Sequence, residues 1–120
     1  MMKNLTYLER IAIMRVLLDI ILADNIVDKR EAILYDKIAK KMDVVDAKQD
    51  IEKQNSLLAL SIIRDLPQKV KEEFAKLMGQ MIVADEDINY NEVKIYNVVS
   101  EFCKIKTEFN IHDYPNFTRS

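Results

Sequence analysis

The chain is short of almost everything that bends, staples or charges a backbone. Its 120 residues include 1 Gly and 2 Pro, too few turn formers for an all-β domain, where each strand pair needs residues that accept tight-turn dihedrals. A single glycine also leaves no phosphate-cradling loop of the GxGxxG or P-loop type. The one cysteine, Cys103, excludes an internal disulfide and points to a reducing, cytoplasmic setting. The one histidine, His112, lies in the C-terminal tail, so a zinc site would lack nitrogen and sulfur donors. Positive charge shows no surplus: 18 Lys and Arg stand against 20 Asp and Glu, a net charge of -2, which argues against nucleic-acid binding. Long apolar runs are missing too. The longest, residues 11–23, contains Arg15 and Asp19 and is too short and too charged to span a bilayer. Glu9 and Arg10 interrupt the apolar run that a signal peptide would need.

What remains suits helices. Hydrophobic residues make up 49% and charged residues 32%, enough for one core under a solvated surface. The expectation is one domain over residues 1–120, with a helical core over about 5–106 and an irregular tail over 107–120. Thr6 and Glu9 have capping-box spacing and open a helix over 5–24, apolar on nearly all sides and therefore central. Its Arg15 and Asp19 are one turn apart and should pair with each other or with a neighbouring helix. Asp28 and Glu31 repeat the capping-box spacing before a helix over 29–42, with Leu34, Tyr35, Ile38 and Met42 inward. A third helix is expected over 46–65, with Asp46 as N-cap and Ile51, Leu58 and Ile62 on one face. Pro67 suits the first turn of a fourth helix running to 85, whose stripe is Val70, Phe74, Leu77, Met78 and Met81. Gly79 inside it costs roughly 1 kcal/mol relative to Ala, which a close helix–helix approach would explain. Asn89 and Glu92 open a fifth helix over 90–106, with Val99, Phe102 and Cys103 inward. The tail aromatics Phe109, Tyr114 and Phe117 suggest a segment folded back on the bundle, or docked on a partner or on a second subunit of a homodimer.

The strongest pattern is self-similarity at an offset of 61 residues, as in Ile21-Leu22-Ala23-Asp24 against Ile82-Val83-Ala84-Asp85. Val27-Asp28 matches Ile88-Asn89, Glu31 matches Glu92, and Tyr35 matches Tyr96. Each copy reads as an apolar run, Ala-Asp, an aliphatic that can staple onto the next helix, Asp or Asn as N-cap, then Glu. The expected fold class is therefore all-α: a five-helix bundle of two repeated helix–acidic loop–helix units, pseudo-twofold in arrangement.

On these residues the chain resembles the TerB-like family, named for the bacterial tellurite-resistance protein. That family carries Ala-Asp-Gly, a variable residue, an aliphatic, Ser or Asp, two variable residues and Glu, twice over. Here the copies are Ala23-Asp24-Asn25-Ile26-Val27-Asp28-Lys29-Arg30-Glu31 and Ala84-Asp85-Glu86-Asp87-Ile88-Asn89-Tyr90-Asn91-Glu92, and Leu66-Pro67 before the second also fits. The usual Gly is replaced by Asn25 and by Glu86, so the second corner should differ in shape. The resemblance implies a role in tellurite or other chemical stress, association with the inner membrane face through protein partners, and an acidic metal-binding surface.

Two readings of the acidic corners stand side by side. Asp24, Asp28 and Glu31 in one copy, and Asp85, Asp87 and Glu92 in the other, would offer oxygen donors to a hard divalent cation such as calcium or magnesium. Asp85-x-Asp87-x-Asn89 begins like an EF-hand loop, but Tyr90 and Tyr96 stand where that loop needs Gly and Glu. Alternatively Asp28, Glu31, Asn89 and Glu92 are helix caps, and Asp24 and Asp85 tie the corners. Cys103 on an apolar helix face reads as an inert buried thiol. Carboxylate pairs occur throughout so charged a chain and nominate no acid–base couple. The six methionines suit adaptable core filling or a promiscuous apolar groove. The expectation is a non-enzymatic interaction module with protein partners, with either a cation at the corners or a purely adaptor role.

Overall fold

The computed structural model describes residues 4–23, 27–84 and 88–114. Every regular element among them is helical: α1 Tyr7–Ile21, α2 Lys29–Lys41, α3 Lys48–Lys53, α4 Ser56–Arg64, α5 Gln68–Val83 and α6 Tyr90–Phe102, with single 3-10 turns at Val45–Ala47 and Ile111–Asp113. The all-α class stands, with six helices rather than five. None of the described helices is long and apolar enough to cross a membrane.

The Thr6–Glu9 box is complete: the Glu9 amide donates to Thr6 Oγ1 at 3.2 Å and the Thr6 amide to Glu9 Oε1 at 2.8 Å. Beyond that first turn α1 buries eight of its residues, from Ile11 to Ile21. It packs against each of the other five helices, most extensively α4. A helix apolar all round has no face to give to water, so the rest of the chain must wrap it. At about 1.5–3 kcal/mol per buried aliphatic side chain, this wrapping is the main favourable term in the fold.

The expected single helix over 46–65 is broken. Residues 45–47 form a 3-10 turn, Asp46 does not cap, and Gln54 and Asn55 are extended. Arg15 and Asp19 on α1 hold the break. Arg15 Nη2 and Nε donate to Asp19 Oδ1 at 2.6 and 3.1 Å. Arg15 Nη1 reaches the Glu52 carbonyl at 3.1 Å, and Ser56 Oγ donates to Asp19 Oδ2 at 2.8 Å. The pair thus serves the C-terminal end of α3 and the first residue of α4 together. Asn55 then caps α4 through the Leu58 amide. Restarting the helix resets its phase: Ala59 and Ile63 point inward, while Leu58, expected inside, is 53% exposed.

Proline at 67 sits one residue earlier than expected. It is the N-cap of α5, with φ -57° and ψ 147°, and its carbonyl accepts from the Lys71 amide at 3.0 Å. Lys71, only 6% exposed, sends Nζ to the Arg64 carbonyl and the Cys103 carbonyl, each at 3.0 Å. One buried ammonium therefore serves the C-terminal ends of α4 and α6, where the helix dipoles favour positive charge.

Helices α2 and α6 end alike. Asp43 and Lys104 take left-handed φ values of 57 and 61°. The next residues, Val44 and Ile105, donate to the Ala39 and Ser100 carbonyls at 3.0 and 2.8 Å and bury their side chains. These are Schellman turns with a non-glycine residue at the left-handed position. Phe102, expected inside, is 40% exposed beneath the Arg64 guanidinium, 5.6 Å from the ring centroid.

The tail folds back over α5 and α6. The Thr107 amide donates to Ser100 Oγ at 2.8 Å, and the Phe109 amide to Asn97 Oδ1 at 3.0 Å. Phe109 meets Tyr96 edge-on at 5.7 Å and stacks on Tyr114 at 5.8 Å. Tyr114 lies across Gly79, where a Cβ would sit 1.5 Å from its hydroxyl oxygen. The glycine therefore admits a tail tyrosine rather than a neighbouring helix. Phe117 lies outside the described residues.

Replacing Lys71 by Met keeps the buried stem and removes the ammonium from two helix ends. Urea unfolding of Lys71→Met is expected to show a loss of about 2 kcal/mol at unchanged slope. A loss under about 0.5 kcal/mol would mean that water serves both carbonyls equally well.

Candidate functional site

The corners before α2 and α6 carry the sequence-derived candidates. Asp28 is the N-cap of α2: its Oδ1 accepts the Arg30 amide at 2.7 Å and Arg30 Nε at 3.3 Å. The Arg30 amide first, and the Arg30 side chain second, hold the Asp28 carboxyl below its ordinary value. Asn89 does the same work for α6, accepting from the Asn91 and Glu92 amides at 2.8 and 3.3 Å. Asp24, Asp85 and Asp87 lie outside the described residues. Among the described residues, no three acidic, histidine or cysteine side chains gather as a metal site would require.

Glu31 and Glu92 are the surprise. The capping-box glutamate of α1, Glu9, remains partly exposed. Glu31 and Glu92 are each 1% exposed. Each is the third residue of a helix of 13 residues, and each helix follows a corner rich in acids. Two carboxylates withdrawn from water at matching positions carry a desolvation cost that an ordinary cap does not. A helix-start pattern alone could not reveal this, because exposed and buried glutamates have the same spacing. The two corners differ in their aliphatic staple: Ile88 packs on the core, whereas Val27 is 52% exposed.

The sequence also singled out Cys103 and His112. Cys103 is fully buried, and burial pushes its thiol up to about 11. His112 is exposed, and its amide donates to Asn110 Oδ1 at 2.9 Å. Burial likewise raises the hydroxyls of Tyr35 and Tyr114 to about 12.

Two open grooves accompany the corners. One, of about 370 Å³ between α2 and α5, has a floor of Leu34, Ile38, Met42 and Leu77 and a rim carrying Lys37, Lys41 and Lys76. The second, of about 430 Å³ between α1, α4 and α6, is lined by Val16, Leu60, Ile95 and Val98 with one acid, Asp19, and one base, Lys94. The lysine rim was legible in sequence only as scattered charge, since Lys76 joins Lys37 and Lys41 through the packing of two distant helices.

The solved structure of a protein of unknown function from Porphyromonas gingivalis W83 is similar to this chain, with a TM-score of 0.76 at 19% identity, covering 95% of this chain and 98% of that one. At that identity the likeness bears on the fold, and it extends to the whole helical arrangement. No protein-family model and no curated protein matches the chain.

Two measurements test these assignments. A carboxyl lowered in the folded state adds stability above the unfolded carboxylate value of about 3.9, and that contribution disappears as acid titrates the folded group. Asp28→Ala should therefore melt below the parent protein at neutral pH, with the gap closing under acid; a gap that persists unchanged would assign the loss to packing. The Cys103 thiol should ignore an aromatic disulfide reagent at about pH 8 until the protein is unfolded. Prompt reaction of the folded protein would contradict its burial.

Proposed function

We propose that the chain is a non-catalytic, TerB-like interaction module built from two helix–acidic corner–helix units. The observation that carries this reading is the matched burial of Glu31 and Glu92, each 1% exposed at the third position of its helix. The matched Schellman ends of α2 and α6 support the same duplication, for Asp43 and Lys104 stand 61 residues apart, as Lys29 and Tyr90 do. The pairing of Glu31 with Glu92 belongs to the sequence repeat itself, whereas their common burial and the left-handed ends at Asp43 and Lys104 are additional to it. The stress- and envelope-associated role implied by the TerB-like resemblance belongs to this proposal. The inert Cys103 and the lysine-rimmed groove favour binding over catalysis.

A divalent cation is the ligand whose chemistry suits the corners. Calcium and magnesium select hard oxygen donors, and a buried carboxylate beside an acidic loop gives up less hydration to a cation than an exposed one. Glu31 with Asp24 would hold one ion, and Glu92 with Asp85 and Asp87 the other. The second reading, an adaptor without metal, is favoured by Asp28: its carboxylate already accepts from Arg30 N and Nε, so capping accounts for it in full.

Calorimetric titration with calcium, magnesium and zinc separates the two. The cation reading expects heat with calcium or magnesium, lost in Asp24→Asn/Asp85→Asn and reduced in Glu31→Gln and Glu92→Gln. Absence of heat at millimolar metal, with the fold intact by circular dichroism, leaves the adaptor reading in place.

A further inference from the structure

We propose that the groove between α2 and α5 is the receptor for an acidic amphipathic helix of a partner protein. The inference extends the interaction-module reading to a named surface and a named kind of ligand. It does not depend on the cation, because no residue lining the groove belongs to either corner.

The floor is apolar and long enough for a helix. Leu34, Ile38 and Met42 succeed one another at four-residue steps on one face of α2, spanning roughly 12 Å at the helical rise. Leu77 on α5 forms the opposite wall. The cavity of about 370 Å³ has the size that a few aliphatic side chains fill. Two helices walling an open apolar trough match the mode in which a third helix lays an i, i+4, i+7 stripe between them.

Charge decides the partner. The protein as a whole carries a net charge of -2, yet the rim holds Lys37, Lys41 and Lys76 against one acid, Glu73. All three lysines are exposed. Lys37 and Lys41 are one turn apart along one edge, and Lys76 stands on the other helix. A helix seated on the floor would therefore pass between ammonium groups on both sides, which favours acids flanking its apolar stripe. The groove between α1, α4 and α6 makes the contrast: its one acid, Asp19, is already engaged by Arg15 and Ser56, and its single Lys94 gives no preference for either sign of partner.

The test uses the full chain, isotope-labelled, and a synthetic helical peptide with leucine at i, i+4 and i+7 and glutamates along both sides. A twin peptide carries lysine in place of each glutamate. The acidic peptide is expected to shift the backbone amides of residues 34–42 and 73–80, and to bind roughly tenfold or more tightly than the twin at low salt. Lys37→Glu with Lys41→Glu should weaken the acidic peptide by a similar factor and reverse the preference between peptides. These lysines are exposed, so the variants leave the core undisturbed, and the amide spectrum verifies that. Equal binding of both peptides overturns the proposal. So do shifts confined to α4 and α6, occupation of the face by anionic-lipid vesicles without peptide binding, or closure of the groove by a second copy in sedimentation. Failure here with cation binding intact removes the groove alone; loss of cation binding with peptide binding intact removes only the corner ligand.

Discussion

The structure depends on enclosing α1. A helix whose buried residues run almost without interruption from Ile11 to Ile21 cannot lie at a surface, and five other helices close around it. Its polar residues fit that position. Arg15 and Asp19 do more than pair: they accept and supply hydrogen bonds at the gap between α3 and α4, and Arg10 Nη1 donates to the Met42 carbonyl at the end of α2 at 3.0 Å. Both arginines of the central helix therefore finish the end of another helix. An isolated surface pair would contribute little; here the guanidinium also donates to the Glu52 carbonyl and so ties the end of α3 to α1.

The same principle places the buried charges elsewhere. Lys71 lies under the C-terminal ends of α4 and α6, and Glu31 and Glu92 lie in the first turns of α2 and α6. The ammonium sits where carbonyls point, and the carboxylates sit where amides point, which is the arrangement the helix dipole favours. The six helices among the described residues have many ends to satisfy. With 1 Gly and 2 Pro the chain has little turn chemistry for the purpose, so side chains and non-glycine left-handed residues such as Asp43 and Lys104 take it over.

Much of this was legible in sequence where the cause is local. Thr6–Glu9, Asp28 and Asn89 announce their helices because an N-cap acts within three residues. The apolar girth of α1 announces its central place for the same reason. The break at Gln54–Asn55 was hidden because its cause is remote: without Arg15 and Asp19 beside it, residues 46–65 have no proline or glycine to stop them. The phase error at Leu58 follows directly from that. The contact of Phe102 is likewise remote in sequence: its ring meets the guanidinium of Arg64 on another helix and stays 40% exposed. Gly79 showed that something must come close but not what, since Tyr114 is 35 residues away and joins it only through the folded tail. At the corners the spacing exposed the cap but not the burial of Glu31 and Glu92.

Enclosure of α1 also dictates where binding can occur. Helix α1 reaches the surface at its first turn and at Asp19, which with Val16 lines the groove it shares with α4 and α6, and the remaining exposed faces belong to the arms that wrap it. The arms have faces left over: Ile33 on α2, and Tyr90 and Val98 on α6, remain 48, 74 and 59% exposed. On α2 the division is by position along the helix. Its first turn buries Glu31, while its later turns and its C-cap present Leu34, Ile38 and Met42 to the groove with Lys37 and Lys41 beside them. Helix α6 has the corresponding glutamate but no lysine rim, since only Lys94 faces its groove. Similar backbone settings therefore present different chemistry outward. The outward residues of α2 and α6 differ without disturbing α1, because the contacts that enclose α1 are made by the opposite faces of both helices.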